Sequence, residues 1–346
     1  PLQNYVLILG ESLRSDALAI YGNPYPTTPF LSSKPLKIVD EMVAPSYATM
    51  SAVPRLLALS KGEEVQPQNN VVALAREAGL QTYWVSAQGR TRSKDLPISH
   101  IAKSADERIF VKRGDDFAMV GELEALLDRA PNQRRFIVLH AYGSHENVCD
   151  RLDGVGRPFE THWGEQLDCY LVSALKADQL IERVSELFKA RGETYSILFV
   201  SDHAVDFQHE LGLVGASTAA KASDAGSAGH RVRSSRNPFS KQQFVVPFLE
   251  LGDSVSEAQA IKTHGPCSAM ELPTYVPTWL GLSTNLTPVG KDIFRCGEAG
   301  RSITVLNPKG KLTSYGDLNA GLKLPEILRS STEHNREREV DQHGVF

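Results

Sequence analysis

The sequence has few of the features that would assign it to a class at once. Its longest uninterrupted apolar runs are well short of the roughly 20 residues that a membrane-spanning helix needs. Its formal net charge of −4 over 346 residues gives no support to nucleic-acid binding through the phosphate backbone. Hydrophobic residues at 41% and charged residues at 23% are ordinary for a globular chain that can bury a sizeable core. The chain opens almost directly on a predicted strand, Tyr5–Leu9, so we expect the soluble part of a longer protein.

Cysteine is scarce, and no two cysteines stand at a metal-binding spacing. The four residues, Cys149, Cys169, Cys267 and Cys296, form no CxxC, which argues against a zinc-thiolate site. Four cysteines allow three pairings. Our preferred interpretation is two disulfides in an exported protein, with 149–169 and 267–296 as the simplest pairs. Four reduced cysteines in a cytosolic enzyme are the alternative.

Three strongly hydrophobic segments each end in polar residues that can bind metal or transfer protons. YVLILG precedes Glu11-Ser12, RFIVLHAYGS precedes His145, and SILFVS precedes Asp202-His203. Short β-branched and aromatic runs bounded by Gly or Ser predict buried strands of a parallel sheet. Ligands of open α/β sheets bind just beyond the carboxyl ends of the strands, so we expect one common site.

Strand and helix patterns alternate along most of the chain. This predicts an α/β fold with a parallel-rich central sheet and helices on both faces. Among the predicted helices are a short one at Ser15–Ile20 and one capped by Ser46 or Thr49. We expect a single domain over residues 1–325 and a charged tail over 326–346. The Gly, Ala and Ser-rich stretch 211–229 predicts a loop, either a flap beside the site or a surface insertion.

A hydroxyl cluster lies at the predicted start of a helix. Ser46, Thr49 and Ser51 could simply cap that helix, or one of them could be a nucleophile near a bound divalent ion. Glu, Asp and His side chains suit zinc, which would lower the pKa of a neighbouring hydroxyl.

Several motifs resemble, in order, those of the phosphoethanolamine transferases of the alkaline phosphatase and sulfatase superfamily. The opening motif is GESLR at 10–14, followed by YG at 21–22 and TTPFL at 27–31. Later segments are SYAT at 46–49, YWVSAQ at 83–88, LHAYGSH at 139–145, SDH at 201–203 and GKDIF at 290–294. The resemblance covers roughly residues 4–295 and implies a sulfatase-like fold.

The resemblance implies roles for individual residues. Glu11, Thr49, Asp202 and His203 would hold one catalytic zinc ion, with further zinc ions left open. Thr49 would be the nucleophile that carries the phosphoethanolamine.

Two histidines and an arginine would lie on the substrate side. His145 would bind substrate or protonate a leaving oxygen. His230 is the candidate for the family's further histidine, with His209 as its competitor. Arg14 could bind phosphate or brace the Glu11 loop.

The resemblance also implies partners and a location. Phosphatidylethanolamine would be the donor, and lipid A, the lipopolysaccharide core or a glycan the acceptor. The catalytic domain would be a monomer at the periplasmic face of the bacterial inner membrane, attached through a segment outside this chain, and would bind no nucleic acid.

The chain departs from the family pattern at two places near the site. SDH continues with Ala204-Val205 where the family usually has Gly-Glu, and Tyr47 stands where the family has a cysteine. These differences leave the acceptor open.

Two other functions compete with a transferase. One is a hydrolase or phosphoglycerol transferase of the same superfamily. A sulfatase is disfavoured because Ser51–Arg55 has the letters of the C/S-x-P-x-R frame in the wrong register. The other is a non-catalytic relative that binds lipid or glycan.

Overall fold

The fold is built around one strand that is buried along its whole length. The computed structural model describes residues 2–89, 96–129, 131, 133–161, 163–207, 240–285, 294, 296 and 302–329. The strands are β1 Asn4–Gly10, β2 Lys37–Val43, β3 Ala58–Lys61, β4 Glu64–Asn70, β5 Gln81–Ser86, β6 Glu107–Phe110, β7 Arg135–His140, β8 Tyr195–Ser201, β9 Val245–Gly252, β10 Ile261–Thr263, β11 Cys267–Ser268, β12 Thr304–Leu306 and β13 Leu312–Ser314. The helices are α1 Thr49–Leu57, α2 Val71–Glu77, α3 Pro97–Lys103, α4 Ala118–Arg129, α5 Glu165–Arg191 and α6 Leu272–Trp279.

The main sheet is mixed but mostly parallel. Its strands are ordered β10-β2-β9-β8-β1-β7-β5-β6, with β11 also paired to β2. β1 pairs in parallel with β7 on one side and β8 on the other. β9 is antiparallel to both β8 and β2. The carboxyl ends of β1, β7 and β8 therefore meet at one edge of the sheet, as the sequence predicts.

Both faces of the sheet are covered by helices, which confirms the predicted fold class. Alternate residues of β1 point to opposite faces, so Val6 and Ile8 belong to one core and Leu7 and Leu9 to the other. The first core packs against α4 and α5. The second packs against α1, α2, α3 and α6. This burial on both faces explains why β1 is hydrophobic at nearly every position.

Two local predictions were wrong. The stretch Ser15–Ile20 forms two 3-10 turns, Ser15–Ala17 and Ala19–Tyr21, instead of an α-helix, because Leu18 is extended between them. The N-cap of α1 is Ala48, and no side chain caps that helix. Thr49 is the first helical residue, and its hydroxyl donates a hydrogen bond elsewhere.

The cysteines form the two predicted disulfides, Cys149–Cys169 and Cys267–Cys296. Near the end of the described chain, residues 324–329 are helical, and Leu324, Ile327 and Leu328 are buried in the first core. The packed region thus continues past the expected boundary at residue 325. Residues 330–346 of the expected tail lie outside the described residues, and so does the predicted loop 211–229.

None of the helices in the described ranges has both the length and the apolar character that are needed to cross a membrane.

Candidate metal and nucleophile site

Thr49 lies at the start of α1 and faces the carboxyl edge of the sheet. Its Oγ1 donates a hydrogen bond of 2.7 Å to Glu11 Oε2 and lies 3.3 Å from His203 Nε2. The other two hydroxyls of the cluster, on Ser46 and Ser51, hydrogen-bond to each other at 2.7 Å. Of the three hydroxyls, the one on Thr49 is in contact with the acidic and imidazole groups.

Glu11 follows β1 directly and is buried. Ser12 Oγ donates to its Oε1 at 2.7 Å, and Gln88 Nε2 donates to its Oε2 at 3.0 Å. The same Gln88 amide donates to the Ala141 carbonyl at 2.7 Å. These bonds fix the orientation of the carboxylate.

Asp202 and His203 follow β8 and are buried beside Glu11. Asp202 Oδ1 accepts hydrogen bonds from the backbone N–H groups of Ser12 at 3.1 Å and His203 at 2.7 Å. Its Oδ2 is buried and has no hydrogen-bond partner among the described residues. Buried polar atoms without a partner are rare, and a metal ion is one explanation.

The tautomer of His203 suits a metal ligand. Its Nδ1 lies 3.0 Å from the Ala204 carbonyl, so Nδ1–H donates to that oxygen and Nε2 is the nitrogen that points into the site, where a metal ion could replace its proton. From Nε2 the distances are 3.2 Å to Glu11 Oε1 and 3.7 Å to Asp202 Oδ2.

These spacings fit a tetrahedral zinc ion. Ligands about 2.0–2.1 Å from zinc are roughly 3.3–3.4 Å from one another in a tetrahedron. Glu11, Asp202 and His203 offer ligand atoms that all lie within 4.8 Å of one another, and Thr49 Oγ1 adds an oxygen at a similar spacing from His203. The donor set of carboxylates, imidazole and hydroxyl suits zinc.

The electrostatics of these three residues are strongly coupled. Burial raises the pKa of Asp202 to about 7, and the negative charge of Glu11 acts in the same direction. Burial would lower the pKa of His203, but the Asp202 charge and the hydrogen bond to Glu11 outweigh it and raise that pKa to about 9. Burial alone would raise the pKa of Glu11, whereas its hydrogen bond to His203 and the His203 charge hold it far below its usual range. A divalent cation would replace the protons held here.

His145 lies beside this cluster, on the loop after β7. Its ring stacks on Tyr142, with 4.6 Å between the ring centres. The neighbouring Ser144 N–H donates to the Glu11 carbonyl at 2.9 Å. Gly143 has a positive φ of 46°, and a Cβ there would be 3.1 Å from both the N and O atoms of Glu11. His145 is thus held close to the cluster, and its role toward substrate stays a prediction.

Arg14 was expected either to bind phosphate or to brace the Glu11 loop, and its contacts are with other parts of the chain, as bracing requires. Its guanidinium is buried and donates to Asp16 at 2.8 Å, to Gln242 at 3.1 Å and to the Val205 and Leu322 carbonyls. His230 and His209, the two candidates for the second substrate-side histidine, lie outside the described residues.

Four residues contribute to the site although the sequence predicted no role for them individually. Ser12 and Gln88 bind Glu11 directly, and both stand inside motifs that the sequence offers, GES and YWVSAQ. Asp116 accepts hydrogen bonds from the backbone of Tyr142 at 2.6 Å and Gly143 at 3.1 Å, and Lys176 lies 3.5 Å from its carboxylate. This buried pair carries no local sequence signal.

The comparisons with known proteins show the family of the chain. A family model described as Sulfatase matches residues 3–284. The chain therefore belongs to the sulfatase family. Among curated relatives it is similar to the phosphoethanolamine transferase OpgE of Escherichia coli (strain K12), at 30% identity over 288 residues, which is 81% of this chain and 51% of OpgE. The chain spans about half the length of the curated relatives that it matches first.

Solved structures show the same fold. The C-terminal periplasmic domain of EcEptC from Escherichia coli, in complex with Zn, matches with a TM-score of 0.70 and 18% identity, over 94% of this chain and 96% of that chain. The integral membrane lipooligosaccharide phosphoethanolamine transferase A (EptA) from Neisseria meningitidis matches with a TM-score of 0.63 and 14% identity, over 86% of this chain and 58% of that one. The match to the Sulfatase family model and the similarity to OpgE confirm the resemblance to phosphoethanolamine transferases of the sulfatase superfamily.

Proposed function

We propose that the chain is the catalytic part of a zinc-dependent phosphoethanolamine transferase that works through a covalent intermediate on Thr49. The observation that carries the proposal is the position of Thr49 Oγ1, 2.7 Å from Glu11 Oε2 and 3.3 Å from His203 Nε2. A hydroxyl in this position can act as a nucleophile, because Glu11 orients it and accepts its hydrogen bond. The name of the relative OpgE supports phosphoethanolamine as the transferred group.

Glu11, Asp202, His203 and Thr49 would hold the zinc ion. When bound, zinc lowers the pKa of a coordinated hydroxyl and neutralises charge on a transferring phosphoryl group. Ser12 and Gln88 keep the Glu11 carboxylate in place, which preserves the geometry that the reaction needs.

The reaction has two steps. In the first, Thr49 Oγ1 attacks the phosphorus of phosphatidylethanolamine, the bond from phosphorus to the diacylglycerol oxygen breaks, and the Thr49 proton leaves through Glu11 Oε2. His145 gives a proton to the leaving oxygen. In the second, an acceptor hydroxyl gives its proton to His145 and attacks the same phosphorus, the bond from phosphorus to Thr49 Oγ1 breaks, and Thr49 regains a proton through Glu11 Oε2. Such chemistry gives ping-pong kinetics.

The acceptor is a lipid A, lipopolysaccharide-core or glycan hydroxyl or phosphate, and the site lies at the periplasmic face of the inner membrane. The relatives' names support this, since one solved structure is a periplasmic domain and another an integral membrane protein. The two disulfides suit an oxidising compartment. The membrane segment lies outside this chain, and the catalytic part is a monomer.

The test is intact mass spectrometry after incubation with phosphatidylethanolamine and zinc in the absence of acceptor. We expect one phosphoethanolamine adduct on the wild-type chain, mapped to Thr49 by peptide sequencing, and no adduct on Thr49→Ala. Transfer by Thr49→Ala should fall by at least about a thousandfold, since the covalent route is lost.

Ser51→Ala is the matched control, because it removes a hydroxyl on the same turn of α1 that does not contact Glu11. This variant should form the adduct at close to the wild-type rate. Unchanged transfer by Thr49→Ala, or an adduct on another residue, would contradict the proposal.

A further inference from the structure

Two arginine guanidinium groups and the His145 ring surround the Tyr142 ring. The Arg113 guanidinium lies 4.9 Å and the Arg151 guanidinium 4.6 Å from the ring centre, and the His145 ring stacks at 4.6 Å. Cation–π contact favours both arginine positions. Arg113 is exposed, whereas Tyr142 is buried. Two like charges are therefore held on one aromatic ring at the protein surface.

Two nearby carboxylates are engaged with other partners. Asp115 Oδ1 accepts from the Ala118 N–H at the start of α4, and Asp116 binds backbone amides and Lys176. Asp150 attracts Arg151 only at a distance. Neither Arg113 nor Arg151 forms an ion pair within the part of the chain that the structure describes.

The two arginines differ in what they can offer a ligand. Arg151 donates to the carbonyls of His145, Glu146 and Asn147, so it holds the loop and contributes mainly its charge. Its pKa is lowered by burial and further by the charge of Arg113, which means that the two guanidinium groups repel each other. The Arg113 residue is exposed to solvent. An anion that contacts Arg113 would relieve the repulsion.

The cluster lies next to the metal and nucleophile site. A Cβ at Gly89 would be 3.9 Å from Arg113 Cδ, and the preceding residue, Gln88, binds both Glu11 and the Ala141 carbonyl. The two neighbours of Tyr142 in the chain are thus tied to the site: the Ala141 carbonyl accepts from Gln88, and Gly143 lies against the Glu11 backbone.

We propose that Arg113, supported by the charge of Arg151, binds a phosphate group of the acceptor while the acceptor's reacting oxygen is at Thr49. The inference rests on the proposed function and narrows the acceptor to one that carries a phosphate. The phosphate beside Arg113 cannot be that of the donor, because phosphatidylethanolamine has one phosphate and that phosphate has to lie against Thr49 Oγ1. Guanidinium groups bind phosphate through strong charge-assisted hydrogen bonds.

The first test measures binding by isothermal titration of the zinc-loaded protein with glucose 6-phosphate, and with glucose as the neutral match. Arg113→Gln should bind glucose 6-phosphate roughly tenfold more weakly or worse, the usual effect of one lost charged hydrogen bond. Arg113→Lys should recover part of the loss. Lys112→Gln removes the adjacent exposed cation, which does not contact Tyr142, and should bind within about twofold of wild type, since only a screened surface charge is lost.

Wild-type binding by Arg113→Gln would overturn the proposal. An equal loss in Lys112→Gln would overturn it too, because the attraction would then come from general surface charge.

The second test measures selectivity in transfer. The ratio of kcat/KM for glucose 6-phosphate over glucose should fall about tenfold in Arg113→Gln, through a higher KM for the phosphorylated acceptor. An unchanged ratio would overturn the proposal.

The proposed function and the phosphate site at Arg113 can fail separately. If the wild-type chain forms no Thr49 adduct but its binding of glucose 6-phosphate depends on Arg113, the proposed function fails and the anion site stands. If the adduct forms and Arg113 has no influence on binding, the anion site alone fails.

Discussion

Ser12 adopts a left-handed backbone conformation, with φ of 58°, between two of the proposed zinc ligands. Its hydroxyl donates to Glu11, its N–H donates to Asp202, and its carbonyl accepts from the Tyr170 hydroxyl at 2.9 Å. A non-glycine residue in this region costs on the order of 1 kcal/mol or more, so it persists only where the surroundings require it. The three hydrogen bonds supply that requirement and set the spacing of Glu11 and Asp202.

At the residue scale, zinc affinity should depend steeply on pH. In the metal-free protein the pKa of His203 is about 9 and that of Asp202 about 7, both raised. Zinc binds the deprotonated forms, so each proton on these groups competes with the ion. Affinity should rise with pH from 6 to 9, with about two protons released per zinc below pH 7 and about one between pH 7 and 9.

Competition titrations with a zinc chelator across this range give the affinity. Calorimetry in two buffers of different ionisation enthalpy gives the number of protons released. An affinity that is flat from pH 6 to 9 would rule out His203 and Asp202 as the groups displaced.

The sequence predicted the candidate metal ligands better than the residues that hold them in place. Glu11, Asp202 and His203 could be found because each follows a hydrophobic strand, and strand ends meet at one edge. The contacts of Arg14, Gln88 and Asp116 could not be found from spacing, because their partners lie far away in the sequence.

At the element scale, the β12–β13 hairpin supports the segment that precedes the nucleophile. The Leu306 N–H donates to the Pro45 carbonyl at 2.8 Å, and Ser46 forms an isolated β-bridge to Leu306. Tyr47 packs against a small core that contains Val305. Apolar packing on the hairpin thus holds the segment that leads to Thr49.

Truncation of Val305 should therefore slow catalysis as well as destabilise the fold. Val305→Ala removes fully buried methyl groups and should cost about 1–3 kcal/mol of unfolding free energy. Because Thr49 would then be less well positioned, formation of its adduct should slow by roughly tenfold. Urea unfolding and the time course of adduct formation measure the two effects.

Val184→Ala is the matched control, since Val184 is equally buried in α5, in the first core, whereas Val305 belongs to the small core around Tyr47. It should lose similar stability and keep the adduct rate. Equal slowing in both variants would mean that the hairpin has no special role at the site.

Elements were predictable where their hydrophobic pattern is long. The strands β1, β5, β7 and β8 and the helix α5 follow from continuous apolar runs and helical periodicity. Short strands such as β10 and β11 have too few residues to show a pattern, and they exist because β2 offers a free edge. The cap of α1 was mispredicted because tertiary contact with Glu11 engages the Thr49 hydroxyl.

At the scale of the whole molecule, the sheet separates two cores, and the site lies at the edge where both meet. The order of the central strands and the antiparallel β9 are long-range properties that no local pattern encodes. The alternation of strands and helices was enough to predict the class of fold, and the match to the Sulfatase family agrees with it.

The disulfide Cys149–Cys169 should make a measurable contribution to global stability. It closes a segment of 20 residues and joins the loop after His145 to the start of α5. A disulfide that closes a loop of this length lowers the entropy of the unfolded chain and thereby raises the free energy of unfolding by about 3 kcal/mol. The Cys149→Ala/Cys169→Ala variant should therefore unfold at lower urea concentration than wild type without reductant.

Addition of reductant separates the contributions of the two disulfides. It should remove from the variant only what Cys267–Cys296 contributes, and it should remove both contributions from wild type. A variant as stable as wild type would show that the pair does not constrain the unfolded chain.

The close approach of Gly143 to the backbone of Glu11 has a mechanical consequence. No side chain separates the two strand-end segments, and the Ser144 N–H bonds to the Glu11 carbonyl across the same contact. A displacement of the segment that carries His145 would therefore displace Glu11 as well. The positions of His145 and Glu11 relative to each other are therefore set by packing within the folded chain.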